Sequence, residues 1–165
     1  MEEWDYEKNE KLGLSPENIY RGSGKKVWWK LPYDDSATEK HFNFEWESTI
    51  LDRTNGRSCP YLCIPAKAVW QGFNDLATTH PEIATEWHPT KNGKLKPSEV
   101  LSGSHQKVWW YLPYSDPKTG KHFNFEWQAT VYSRASGNDC PYLSNQAVWQ
   151  GYNDLASQRP DLVAE

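Results

Sequence analysis

The sequence has 165 residues, a formal net charge of −4 and an apolar fraction of 37%. Aromatic residues make up 15% of the chain, so a core must be built mainly from rings, and simple disorder is excluded. No apolar run is long enough to span a membrane, and the acidic start lacks the features of a secretory signal. Three cysteines cannot form a closed disulfide set, so we predict a cytoplasmic protein.

A repeat organises the whole chain. The segment "KVWWKLPY" at 26–33 returns as "KVWWYLPY" at 107–114, and "KHFNFEW" recurs unchanged 81 residues after its first occurrence. The segment "AVWQGFNDLA" also returns with one change, and all ten tryptophans pair across the two copies. We therefore predict two tandem domains, residues 1–83 and residues 84–165.

Within each copy, short helices and strands are predicted in a definite order. A helical turn is predicted at Ser15-Pro16-Glu17, where a cap residue precedes a proline. "KVWW" reads as a short strand. From Phe42 to Ile50 apolar and polar residues alternate, which predicts a half-buried antiparallel strand with Phe42, Phe44, Trp46 and Ile50 facing inward. The second copy keeps this alternation, which supports the same register.

The end of the first copy, "NDLATTHPEIATEW", predicts one or two short helices. Asn74 or Asp75 is the expected cap, and Pro81 fits the first position of a helix. Asn92-Gly93 then marks a tight turn.

These motifs, in this order and repeated, resemble the bacterial probable zinc-ribbon, or treble-clef, repeat family. The resemblance covers nearly the whole chain. It implies an α+β fold of two tandem zinc-ribbon or treble-clef-like units, each an antiparallel β-hairpin with short helices. In typical members "VWW" leads to a cysteine, and a Cys-Pro-x-Cys knuckle closes a four-ligand zinc site.

This chain departs from the family at the metal. Leu31 and Leu112 stand where the first cysteine would be, and Leu62 and Leu143 stand where the last would be. The residual ligand positions are His41, Cys59, Cys63, His122 and Cys140. Because a structural zinc site needs four protein ligands, we predict no metal and no other cofactor. We expect the leucines, the added rings and docking between the units to replace the metal.

The sequence carries no Gly-rich phosphate loop, no Ser-His-Asp order and no reactive Cys-His pair, so we predict that the protein is not an enzyme. Treble-clef units often bind nucleic acid. The resemblance therefore implies a binding module associated with nucleic acid or with a nucleic-acid-processing protein. Basic residues beside rings suit stacking and phosphate contact. The predicted contact residues are Lys26, Trp28, Trp29, Arg53, Lys107, Trp109, Trp110 and Arg134.

Two alternatives stay open. Neither copy carries a net positive charge, which favours a protein–protein adaptor or inhibitor without direct nucleic-acid contact. Surface rings such as Trp70 and Trp149 would then anchor the partner, although the same rings also suit an inter-unit core. The minor alternative is a nuclease accessory domain, because His41 and Asn43 resemble part of a ββα-metal nuclease site.

Overall fold

The computed structural model describes residues 3–163. The chain divides into two compact units, the first ending at Ala68 and the second beginning at Val69. Each unit contains one two-stranded antiparallel sheet with short helices, which confirms the predicted α+β architecture of two tandem units. Within the described residues no helix is long and apolar enough to cross a membrane.

Unit one is built on a single hairpin. Its strands are paired with Trp29 opposite Trp46 and Leu31 opposite Phe44. Helix α1 begins after Asp5, whose side chain accepts a hydrogen bond from the backbone N–H of Lys8 at 3.0 Å. The elements are α1 Tyr6–Glu10, β1 Lys26–Asp35, β2 Lys40–Thr49 and α2 Ile50–Thr54.

Unit two repeats the hairpin and adds helices on both sides of it in sequence. Trp110 lies opposite Trp127, in the register of the first hairpin. The elements are α3 Leu76–Thr79, α4 Pro81–Ala84, a 3₁₀ turn Pro97–Glu99, β3 Lys107–Ser115, β4 His122–Thr130, α5 Val131–Ala135, α6 Leu155–Gln158 and a 3₁₀ turn Pro160–Leu162.

The compact units and the sequence copies do not share a boundary. Residues 69–83 end the first sequence copy but belong to the second compact unit. Leu76 is the reason, because its backbone N–H donates to the Val100 carbonyl oxygen at 2.8 Å and its side chain is fully buried. The last segment of one sequence copy thus completes the core that the next copy begins.

Alternation places the inward residues as predicted, but the strand ends one residue earlier than predicted. Phe44 and Trp46 are buried, while β2 ends at Thr49 and Ile50 opens α2. The strand stops there because the Thr49 hydroxyl accepts a hydrogen bond from the backbone N–H of Asp52 at 3.0 Å. This capping bond begins a helix that alternation alone did not indicate.

The predicted helix starts had different outcomes. Asp75 caps α3 and Pro81 opens α4, as predicted. The helix predicted at Ser15 is wrong, because Asn18 accepts a hydrogen bond from the Ser15 backbone N–H at 2.9 Å and closes a turn instead. The counterpart in unit two does form a 3₁₀ turn, where the Glu99 carboxylate accepts from the Lys96 backbone N–H at 2.9 Å.

Rings dominate the core of each unit. In unit two, Trp110 is fully buried and meets Trp87 edge to face, with ring centroids 5.5 Å apart. Phe125 packs against Tyr142 and Trp149 at 5.4 and 5.3 Å. The edge-to-face pairs Trp87–Trp110 and Phe125–Trp149 stabilise the core beyond the burial of their area, by about 0.5–1.5 kcal/mol each.

Candidate binding surface

The two predicted contact arginines lie inside the units. The Arg134 guanidinium lies 5.8 and 5.6 Å from the ring centroids of Trp110 and Trp127, and its side chain is 6% exposed. It forms an ion pair with Glu86 and donates a hydrogen bond to the Asn138 carbonyl oxygen. Arg134 therefore connects Glu86, which precedes β3, with Asn138, which follows α5.

Arg53 repeats this arrangement in unit one. Its guanidinium lies 5.3 and 5.6 Å from the rings of Trp29 and Trp46, and it pairs with Glu3. Burial lowers the pKa of Arg53. Because charge and rings are already engaged, neither arginine presents a free guanidinium for a phosphate group.

Trp29 and Trp110 are likewise core residues. They are 6% and 0% exposed, and their indole N–H groups donate to the carbonyl oxygens of Ser48 and Ala129 at 3.1 and 3.2 Å. Four of the eight predicted contact residues are thus removed from the accessible surface. The accessible ones are Lys26, Trp28, Lys107 and Trp109, of which the tryptophans are half-buried.

The accessible tryptophans lie on the polar side of each hairpin, which we call the outer face. Trp28 pairs across the strands with Glu47, and Trp109 with Gln128. The outer face of unit one comprises Trp28, Lys30, Asn43, Glu45 and Glu47. The outer face of unit two comprises Trp109, Tyr111, Asn124, Glu126 and Gln128.

An asparagine holds each outer tryptophan in place. In unit one the Asn9 side-chain amide donates to the Trp28 carbonyl oxygen and accepts from the Trp28 backbone N–H, both at 2.8 Å. Asn92 makes the same two bonds to Trp109 at 2.8 and 2.7 Å. These pairs imitate the two bonds of a neighbouring strand, so the backbone of the hairpin edge is fixed beneath the indole ring.

A lysine and a glutamate complete the arrangement in both units. The Lys8 ammonium lies 4.2 Å from the Trp28 ring centroid and 2.6 Å from a Glu45 carboxylate oxygen. Lys91 lies 4.5 Å from the Trp109 ring and pairs with Glu126. A hydrogen bond with Lys91, and to a smaller extent one with His88, lowers the pKa of Glu126. Each unit therefore presents the same Lys–Trp–Glu triad.

Sequence reasoning missed Lys8, Asn9, Lys91 and Asn92. A signal for them exists in the sequence, since "KN" recurs at the same spacing that relates Trp4 to Trp87. That spacing is 83 residues, whereas the strand motifs are 81 residues apart, so a comparison at the strand spacing does not pair the two "KN" segments.

The residual metal-ligand positions are not brought together. His41 is exposed, with Nδ1 2.7 Å from an Asp34 carboxylate oxygen and Nε2 3.3 Å from the Asn43 amide oxygen. That Asp34 contact raises the pKa of His41. Cys59 is buried. His122 is similarly exposed and lies 2.8 Å from the Ser115 hydroxyl.

The former metal position does not fit a zinc ion. In unit two Cys140 is buried in the ring core, with Leu112 and Leu143 packed against the same cluster. Burial raises the pKa of both the Cys59 and the Cys140 thiol, which disfavours the thiolate that binds metal. Among residues 3–163 no group of three or more His, Cys, Asp or Glu side chains is placed to hold a metal.

Cys63, the extra sulfur of unit one, is engaged elsewhere. Its thiol lies 3.4 Å from the carbonyl oxygens of both Pro60 and Pro65. It donates within its own loop and supplies no third ligand beside Cys59 and a histidine.

Comparison with known families agrees with the fold. A family model described as "Probable Treble clef zinc finger domain" matches the chain twice, at residues 1–65 and 83–145. The chain belongs to this family, a class of binding modules. No curated protein matches the chain significantly.

Proposed function

We propose that this protein is a non-catalytic module that binds a protein partner through its two outer faces. The observation that carries the proposal is the Lys–Trp–Glu triad, which is present in both units with the tryptophan half-exposed and its backbone fixed. A partly exposed, rigidly held tryptophan loses little side-chain freedom on binding, and such residues dominate the energetics of protein interfaces.

The charges around the triad favour a protein over a nucleic acid. Glu45 and Glu47 flank Trp28, and one ring face is already covered by Lys8. Carboxylates repel phosphate groups, and a covered ring face does not stack with a base. The partner we infer has mixed charge and an apolar group that contacts the exposed edge of the indole. Association with a nucleic-acid-processing complex is consistent with this proposal.

Direct nucleic-acid binding stays the second candidate. Lys26 and Lys107 are exposed and lie two residues from the outer tryptophans. About two phosphate contacts would give a slope of log affinity against log salt near −1.8 for duplex DNA. This slope is shallower than the one expected if Arg53 and Arg134 also contacted phosphate groups.

The test uses a photo-crosslinking amino acid at position 47, across the hairpin from Trp28, in native lysate treated with nuclease. Adducts with discrete proteins are expected, and the Trp28→Ala change should abolish them while Trp28→Phe retains part of the yield. The same crosslinker at Tyr132, an exposed residue of α5, is the matched control.

A parallel titration separates the two candidates. The purified chain is mixed with labelled single-stranded and duplex DNA and RNA at about 50 mM salt, a condition that favours phosphate contacts. The protein-partner proposal predicts no binding. Binding that Lys26→Glu with Lys107→Glu removes, together with loss of the adducts on nuclease treatment, would overturn it in favour of nucleic acid.

A further inference from the structure

The segment around α3 shows how the end of one sequence copy packs within unit two. The Leu76 side chain is fully buried beside Val100, which is 4% exposed, and Asp75 forms an antiparallel bridge with Leu101. Ile83, from α4, packs against the same cluster. We call Val100-Leu101 the receiving edge and residues 75–84 the inserting segment.

The chain contains a second inserting segment at residues 154–163. Asp154 caps α6 by accepting from the Ser157 N–H at 2.9 Å, as Asp75 caps α3 by accepting from the Thr78 N–H at 3.0 Å. The helices end in the same conformation, with φ −140° and ψ 65° at His80 and φ −138° and ψ 65° at Arg159. The second segment therefore has the same capped first helix as the first segment, and a 3₁₀ turn at Pro160–Leu162 in place of α4.

The apolar residues of this second segment are exposed. Leu155 corresponds to Leu76 and is 58% exposed, and Leu162 corresponds to Ile83 and is 57% exposed. Leu155 and Leu162 are thus exposed, whereas the equivalent residues Leu76 and Ile83 pack in the core of unit two.

The chain also contains a second receiving edge, in unit one. Ile19 and Tyr20 correspond to Val100 and Leu101, and Tyr20 is 72% exposed. The flanking backbone is the same, because Ser23 N–H donates to the Tyr20 carbonyl at 3.0 Å as Ser104 N–H does to Leu101 at 3.0 Å. Leu101 forms a β-bridge, whereas Tyr20 forms none among residues 3–163.

We propose that the inserting segment 154–163 of one copy of this chain docks on the Ile19-Tyr20 edge of a second copy. The occupant is specified by unit two, where a related segment with the same Asp-capped first helix covers the equivalent edge. Leu155 then packs beside Ile19, and its backbone N–H donates to the Ile19 carbonyl oxygen, as Leu76 does to Val100.

The contact is heterologous, because the two surfaces lie in different parts of the chain. Copies therefore add head to tail, which gives a closed ring where the rotation closes and an open chain where it does not. The docking segment is short, so the interface belongs to the small, weak class and association depends on concentration. This proposal is independent of the outer faces, which take no part in it.

Sedimentation velocity of the purified chain from about 10 µM to about 1 mM, a range suited to a weak interface, tests it. The mean sedimentation coefficient should rise with concentration. Leu155→Glu and Tyr20→Glu should each give monomers at every concentration. Tyr132→Glu alters an exposed ring outside both surfaces and should associate like the original chain.

Mixing the two monomeric variants gives the decisive result. The Leu155→Glu chain keeps an intact edge and the Tyr20→Glu chain keeps an intact segment, so an equimolar mixture should form heterodimers and nothing larger. Leu162→Glu replaces Leu155→Glu if circular dichroism shows that the latter is unfolded. A monomeric original chain at 1 mM, or association that survives both substitutions, or no dimer on mixing would overturn the proposal.

Discussion

Replacing Arg134 by alanine should strongly destabilise unit two. The side chain contributes an ion pair with Glu86, a hydrogen bond to the Asn138 carbonyl and cation–π contacts with Trp110 and Trp127. Its removal also leaves a void between two core rings and a carboxylate, 21% exposed, without its partner.

The magnitude follows from these contacts. A charged hydrogen bond contributes about 1.5–3 kcal/mol, and each cation–π contact about 0.5–2 kcal/mol when it is desolvated. These terms overlap, and breaking one side of a buried ion pair costs about 3–5 kcal/mol as a whole. Because Glu86 keeps some solvent, we expect a loss of about 3 kcal/mol, which lowers the melting temperature by more than about 10 °C.

Urea unfolding followed by tryptophan fluorescence measures the change. Arg159→Ala is the matched control, because Arg159 pairs with Asp161 at 2.7 Å with both side chains more than half exposed, and its loss should have no measurable effect. Arg134→Met should recover part of the stability through packing on the rings. If Arg134→Ala costs no more than Arg159→Ala, the arginine is not a structural residue and returns to the list of surface contacts.

Three further outcomes are expected. Metal analysis should find well under one zinc per chain, and a strong chelator should leave the melting temperature unchanged; a stoichiometric zinc would contradict the leucine-filled core. In native protein a thiol reagent should modify Cys63 first and reach the buried Cys59 and Cys140 only after urea is added; equal rates for all three would be inconsistent with that burial. Burial, and to a smaller extent a hydrogen bond with Tyr114, raises the pKa of Tyr152 from its ordinary value of 10.0 to about 12. Between pH 10 and 12 the unfolded chain loses this proton first, so the free energy of unfolding should fall there, and less steeply in Tyr152→Phe.

The second strand of each hairpin, its inward residues and the capped helix after Asp75 could be predicted from the sequence because they depend on local pattern. Alternation through Phe42, Phe44 and Trp46 defines the buried side of β2, and Asp75 caps its helix with the side chain that its position predicted. The replacement of cysteines by leucines could also be predicted from the sequence, because it requires only a comparison with the family motif.

Burial of the arginines could not be predicted in this way. Arg53 and Arg134 lie in the short helices α2 and α5 that follow the strands, and nothing near them in sequence indicates a core position. Their partners Glu3 and Glu86 lie about fifty residues upstream, so only the tertiary structure brings charge to charge. Burial of a charged side chain depends on a partner that offsets the loss of water, and that partner is not a local property.

Adjacent tryptophans show the same division. Alternation predicts that Trp28 and Trp29 face opposite sides of the strand, and pairing in the sheet decides which one is covered. The boundary of the compact units also depends on tertiary contacts, because Leu76 packs in one cluster with Val100, a residue of the next sequence copy. Sequence determined the strands, the caps and the missing metal ligands, whereas packing between distant segments decided which charges and rings remain available to a partner.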